Sequence, residues 1–291
     1  MAVRRIRFVL PAVILCFYYS CAPNTDHWLL ANAEFSQRDF LGAIIELNLY
    51  LMEDQPINQK EALVLRAQCY NRLEKHTKAE ADLKAILAID STNEAALLEF
   101  ARLKIFLGDT ANALMMLSRL YSGSGHLVSE AWIEAGKIHF GFKEYEKSLE
   151  EFNNAIHADS SNEYAWYFKG ALRSSFVGEP DSANPYLYPY LDFNEADHAF
   201  SKATMLNPTF ADAWFKWALL DLNRFDDSGG LSKLARAIKF DSLNPGYFVA
   251  RADYLAKRGH KKQAYIDYSA ALRIGSPELE VYEKRRQLFL R

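Results

Sequence analysis

The sequence predicts an all-α protein, a solenoid of about seven helix pairs closed by a C-terminal helix, and three observations lead there. A small residue recurs at Ala31, Ala67, Ala101, Gly136, Gly170, Ala218 and Ala252, at spacings of 36, 34, 35, 34, 48 and 34. A second small series, Ala43, Ala79, Ala113, Ser148, Ala196, Gly230 and Ala264, follows twelve residues after the first, except at Ala196, where the interval is twenty-six. Four residues after each of these, one helical turn on, stands a large side chain: Leu47, Leu83, Leu117, Phe152, Phe200, Leu234 and Tyr268. Such a period marks one supersecondary unit used repeatedly, each unit burying a face that it cannot bury alone. Half of the 291 residues are hydrophobic and 24% are charged, which excludes a disordered chain.

The elements follow in order. Residues 1–20 carry Arg4, Arg5 and Arg7 before an apolar run, Phe8 to Tyr19, and then Ser20 and Cys21. Twelve apolar residues reach only about 18 Å as a helix, short of a hydrocarbon core of about 30 Å. A cleaved secretory signal is therefore predicted for 1–20, with 21–25 as a tether. Ser20-Cys21 resembles the bacterial lipobox, although Tyr18 stands where Leu is usual, and the resemblance implies lipid on Cys21. Plain signal-peptidase cleavage and an uncleaved anchor are the alternatives; Cys16 follows Leu15, a poor neighbour for lipidation. Beyond this leader the chain is acidic, with a formal charge of −6 from Cys21 onward, so charge alone is not expected to hold it to anionic lipid. Cys69 is then the one thiol left, expected as a small core residue.

The seven pairs occupy 26–276. Each second helix shows the stripe described above, and most first helices place a large residue a turn before the small one: Leu63, Leu97, Trp132, Trp166, Trp214 and Phe248. A large side chain beside a small one lets neighbouring helices approach closely. The segments "EAWIEAGKIHFGFKEYEKSLEEFNNAIHADSSN" and "NPGYFVARADYLAKRGHKKQAYIDYSAALRIGS" resemble tetratricopeptide repeats, as does "NEADHAFSKATMLNP" with its helix-stopping Pro208. The resemblance covers about residues 26–277 and implies a right-handed α-solenoid. The first pair departs most, with His27 at the large apolar place and Tyr50 at a usually small one. The fifth pair is fourteen residues longer than the norm, an insert at about 174–192 in which Pro180, Pro185 and Pro189 exclude a continuous helix and Tyr186, Tyr188 and Tyr190 alternate. Those tyrosines either pack back on the array or contact a partner. Residues 277–291 read as a capping helix, sealed by Leu279, Val281, Leu288 and Leu290, with Glu278, Glu280, Glu283, Lys284, Arg285 and Arg286 on its solvated side.

Chemistry is not signalled. The net charge of −3 and pI near 6.2 argue against nucleic acid. The seven histidines are scattered without metal-ligand spacing, and no nucleotide loop or nucleophile motif occurs, so no enzyme activity, cofactor or metal is expected. In the family it resembles, first helices line a concave face. Carried over, those positions are Trp28, Asn32, Phe35, Gln68, Asn71, Arg102, Ile105, Phe106, Ile133, Lys137, Phe140, Tyr164, Tyr167, Phe215, Leu222 and Asp253. The groove expected to bind a partner centres on Phe106, Lys137, Phe140, Tyr164, Tyr167 and Phe215. Trp28, Leu65 and Ala95 stand where a carboxylate clamp would need polar groups, so an apolar-anchored segment is the expected ligand. The resemblances together imply a non-catalytic adaptor lipoprotein of a Gram-negative envelope, at the outer membrane, facing periplasm or surface. A glycan- or nutrient-binding lipoprotein working with an outer-membrane transporter is the alternative.

Overall fold

The computed structural model describes residues 26–175, 192–275 and 279–289; Cys21, Tyr186, Tyr188, Tyr190 and Leu290 lie outside them. Among the described residues there are fifteen helices and no strand. They run α1 His27–Ser36, α2 Phe40–Tyr50, α3 Gln59–Arg72, α4 His76–Ile89, α5 Glu94–Phe106, α6 Thr110–Ser118, α7 His126–Gly141 and α8 Tyr145–Ala158. Then come α9 Glu163–Ser174, α10 Phe193–Leu206, α11 Ala211–Asn223, α12 Asp227–Phe240, α13 Pro245–Lys257, α14 Lys261–Ile274 and α15 Leu279–Gln287. Fourteen of them lie within residues 26–276, and α15 follows. The chain forms two compact units, Met1–Leu103 and Lys104–Arg291.

Helix starts are set by short polar residues. Asp26, Asp39, Asp109, Asn162, Asp192, Asp226 and Asn244 each accept a backbone N–H of the following helix's first turn, contacts worth about 1 kcal/mol apiece. Within a pair the turn is tight. Two residues before the second helix, Arg38, Glu74, Gly108, Lys143, Phe225 and Gly259 adopt φ between 58° and 82°. Four of these six are not glycine and hold a conformation disfavoured by their Cβ. Lys143→Gly is therefore expected to raise stability by about 1 kcal/mol, read from the urea midpoint at unchanged slope.

All fourteen recurring small residues are buried. Their sizes match the large residue that meets them. Gly136 lies under Phe152, where a Cβ would sit 2.5 Å from the ring, and Gly170 lies under Phe200, where it would sit 2.9 Å away. The first, second, third and sixth pairs use Ala with Leu at these two places. Ser148 replaces Ala in the fourth pair and donates to the Gly136 carbonyl at 2.8 Å. Cys69 is fully buried in the N-terminal unit, and desolvation pushes its thiol up to about 11.

Ion pairs join the two helices of several pairs, a feature that small-residue periodicity does not reveal. Arg66 holds Asp82 through Nε and a terminal nitrogen at 2.8 and 2.7 Å, and Arg251 holds Asp267 in the same way at 2.7 and 2.8 Å. His139 meets Glu151 at 2.7 Å, and Lys233 pairs with Asp221.

Two expectations need correction. Leu279 is solvent-exposed; α15 seals the C-terminal unit with Val281, fully buried, and with Leu288, because positions 281 and 288 share a face seven residues apart whereas 279 lies almost opposite 281. Nor are the charges of α15 simply solvated: Lys284 reaches Asp253 at 3.1 Å and Arg285 stacks between Tyr265 and Tyr282. At the other end, Tyr50 is buried against Trp28, and its hydroxyl accepts the Asn58 N–H.

Candidate partner-binding surface

A hollow lies in each unit. In the N-terminal unit a cavity of about 200 Å3 lies on the first helices α1 and α3 and at the start of α5, lined by the apolar Trp28, Val64, Leu65 and Ala95 and by the polar Asn32, Lys60, Glu61, Gln68 and Asn93. Trp28, Leu65 and Ala95 thus meet in one hollow, at the places where a carboxylate clamp would need polar groups. Its cation, Lys60, is committed to Asp90 at 2.7 Å.

The C-terminal unit has a larger hollow, about 350 Å3, bounded by Ile105, Thr110, Lys137, Ile138, Gly141 and Phe142. Phe106 is 68% exposed, and Phe140 and Phe142 are exposed too. Gly141 ends α7, and a Cβ there would meet nothing within 4 Å. Lys137 pairs with Glu134 at 2.7 Å and lies 5.6 Å from the Phe168 ring centre.

The remaining predicted groove residues form a seam between successive first helices. Tyr167 contacts Phe168, Phe200 and Phe210, and Tyr164 contacts Phe210 at 4.9 Å between ring centres. Phe215 packs on Tyr247 at 4.8 Å. Ile133 and Leu222 are buried, so no partner reaches them. Phe168 escapes a reading of one position per turn because a helical stripe is wide enough to include the residue beside Tyr167, and Phe142 and Phe210 escape it because they cap α7 and α11 and lie outside the helices.

Burial pushes the Tyr167 phenol up to about 12, with the Asp212 charge adding to it. Tyr247 and Tyr268 are raised further, by burial and then by donating to Asp212 and Asp253. An unfolded tyrosine titrates near 10. The folded values lie above this, so the stabilisation is complete below about pH 10 and is lost as pH rises beyond it. Urea unfolding should show falling stability on the alkaline side, and Tyr247→Phe should flatten that fall while lowering stability at neutral pH.

Among the described residues no group of three or more His, Cys, Asp or Glu side chains is placed to hold a metal, and no helix is long and apolar enough to cross a membrane. Residues 60–93, essentially α3 and α4, match the tetratricopeptide repeat family model. No curated protein matches the sequence. Solved structures share the fold. A tetratricopeptide repeat protein from Parabacteroides merdae ATCC 43184 has a TM-score of 0.57 at 15% identity, over 90% of this chain and 98% of that one. The APC/C hetero-tetramer Cut9-Hcn1 gives 0.65 at 13% identity, over 86% of this chain and 48% of that one, so this chain spans about half of its length. Pseudomonas aeruginosa pilF gives 0.61 at 14% identity, over 78% of this chain and 97% of that one. The likeness is one of fold, an all-α helical repeat.

Proposed function

We propose that this chain is a non-catalytic adaptor of a bacterial cell envelope, tethered by lipid on Cys21 and holding an apolar segment of a partner protein. Tetratricopeptide repeats generally mediate protein–protein interactions, and the fold is typically a scaffold without catalysis. The observation that carries the reading is the hollow bounded by Ile105, Ile138 and Phe142, with Phe106 and Phe140 exposed on the same two helices, α5 and α7: large apolar side chains left in solvent on elements that form a hollow mark a contact site. A helical or extended segment with spaced apolar anchors suits it. The seam of Tyr164, Tyr167 and Phe215 supplies half-buried aromatic surface on later first helices of the same unit.

Gly141→Leu tests the site, since the new side chain enters open space and occupies the hollow. The variant should keep its circular dichroism and melting curve yet lose the partner that crosslinks in cells to a photoreactive residue at Phe106. Retained crosslinking at full yield would place the interface elsewhere. For the tether, Cys21→Ala is expected to release the protein from membranes under high-salt wash with unchanged helix content, because the attachment is covalent and precedes the repeats. Persistent sedimentation with membranes in high salt would exclude lipid on Cys21 as the anchor.

A further inference from the structure

The formal charge of −6 from Cys21 onward hides a strong asymmetry. Residues 26–244 hold 21 Lys and Arg against 32 Asp and Glu, a balance of −11, whereas residues 245–291 hold ten against five, a balance of +5. The basic end is the last pair and the cap. On α14, Lys262, Tyr265, Ile266, Ser269 and Arg273 recur at helical spacing and share the outer face. The one acid of that helix, Asp267, is buried and bound to Arg251. The outer face of α14 therefore presents cations and apolar groups without a carboxylate.

The end of the cap extends this face. Phe289 meets Tyr265 at 5.8 Å between ring centres. Arg285 lies 5.4 Å from the Tyr265 ring and 5.3 Å from the Tyr282 ring, and is within 3.4 Å of the Ser269 hydroxyl. Ile266 is 63% exposed and Phe289 58%, and Tyr265 and Tyr282 are exposed as well. Among the described residues neither Lys262 nor Arg273 is ion-paired.

We infer that this face docks the C-terminal unit on an anionic phospholipid surface. An acidic polypeptide would need only the cations. The combination of Lys and Arg with tyrosines, an isoleucine and a phenylalanine in solvent matches the headgroup boundary, where phosphates take the charge and the apolar groups sink between acyl chains. The face lies wholly within the C-terminal unit and is independent of the proposed lipid on Cys21.

The test uses the full chain with Cys21→Ala, so that covalent lipid contributes nothing. It is mixed with phosphatidylcholine vesicles with or without phosphatidylglycerol, and binding is read by flotation. Selective binding to the anionic vesicles, weakening with salt, is expected. Adding Lys262→Glu and Arg273→Glu should lower that binding by about 30-fold or more, since each base near an anionic surface contributes about fivefold. Lys262→Gln with Arg273→Gln provides a milder pair that should reduce it in the same direction. The charge-matched control Lys78→Glu with Lys84→Glu, on α4, should change it little. Equal binding to both vesicle types, or equal loss in the control, overturns the proposal. Tight binding of poly-glutamate without vesicle selectivity overturns it too, and identifies a site for acidic protein segments.

Discussion

Asp82→Ala is expected to destabilise the N-terminal unit by about 3–5 kcal/mol, the cost of leaving a largely buried guanidinium without its counter-ion. Arg66 donates to both Asp82 oxygens, at 2.8 and 2.7 Å, and its third nitrogen reaches Asn48 at 2.8 Å. The side chains are only 19% and 10% exposed, so water cannot replace the carboxylate fully. Asp82 in turn favours the charged form of Arg66, raising its pKa chiefly through their hydrogen bonds. Arg66→Met with Asp82→Leu should recover most of the loss, because an apolar pair of similar volume avoids burying charge. Lys84→Ala breaks only an exposed pair with Glu80 and should cost well under about 1 kcal/mol. Amide hydrogen exchange across α3 and α4 measures all three; protection unchanged in Asp82→Ala would mean that the pair contributes nothing to holding these helices together.

Gly136→Ala should destabilise the C-terminal unit by about 1–3 kcal/mol despite the better helix propensity of alanine. Its methyl would lie 2.5 Å from the Phe152 ring, and that ring is 2% exposed, with no solvent into which it can retreat. Phe152→Leu alone should also destabilise, through the cavity it leaves. The double variant installs the Ala–Leu combination that neighbouring pairs use, so its loss should fall short of the two single losses added together, the coupling expected of residues in contact. Strict additivity in urea unfolding would show that the glycine is not there to admit the ring.

The repeat was legible because it depends on local arithmetic: a helix face returns every three to four residues, and a helix pair returns every 34. The buried small residues and the stripe from Leu47 to Tyr268 stand where that arithmetic puts them. The Arg66–Asp82 and Arg251–Asp267 pairs were legible in principle, since both acids stand three residues after the second small position and both arginines one before the first. Periodicity alone does not single them out, because a polar residue in an amphipathic helix ordinarily reads as solvent-facing. Leu279 reads as a seal for a different reason, its apolar side chain, but it lies almost opposite Val281 on the helix and so faces solvent.

The sequence by itself determined that this is an all-α array of repeated helix pairs, where each pair lies, and that its first helices carry aromatic side chains. It could not say which of those aromatics are open. Tyr167 and Phe215 are drawn into packing between successive first helices, whereas Phe106, Phe140 and Phe142 stay in solvent. Periodicity assigns a residue to a helix face, but exposure depends on what the neighbouring helix brings to that face, and this is a property of the tertiary structure alone. The charge asymmetry was countable from the sequence. Only the packing of α15 on α14 showed that Arg285, Tyr282 and Phe289 join Lys262, Tyr265 and Ile266 in one surface, because side chains separated by about twenty residues meet only when two helices dock.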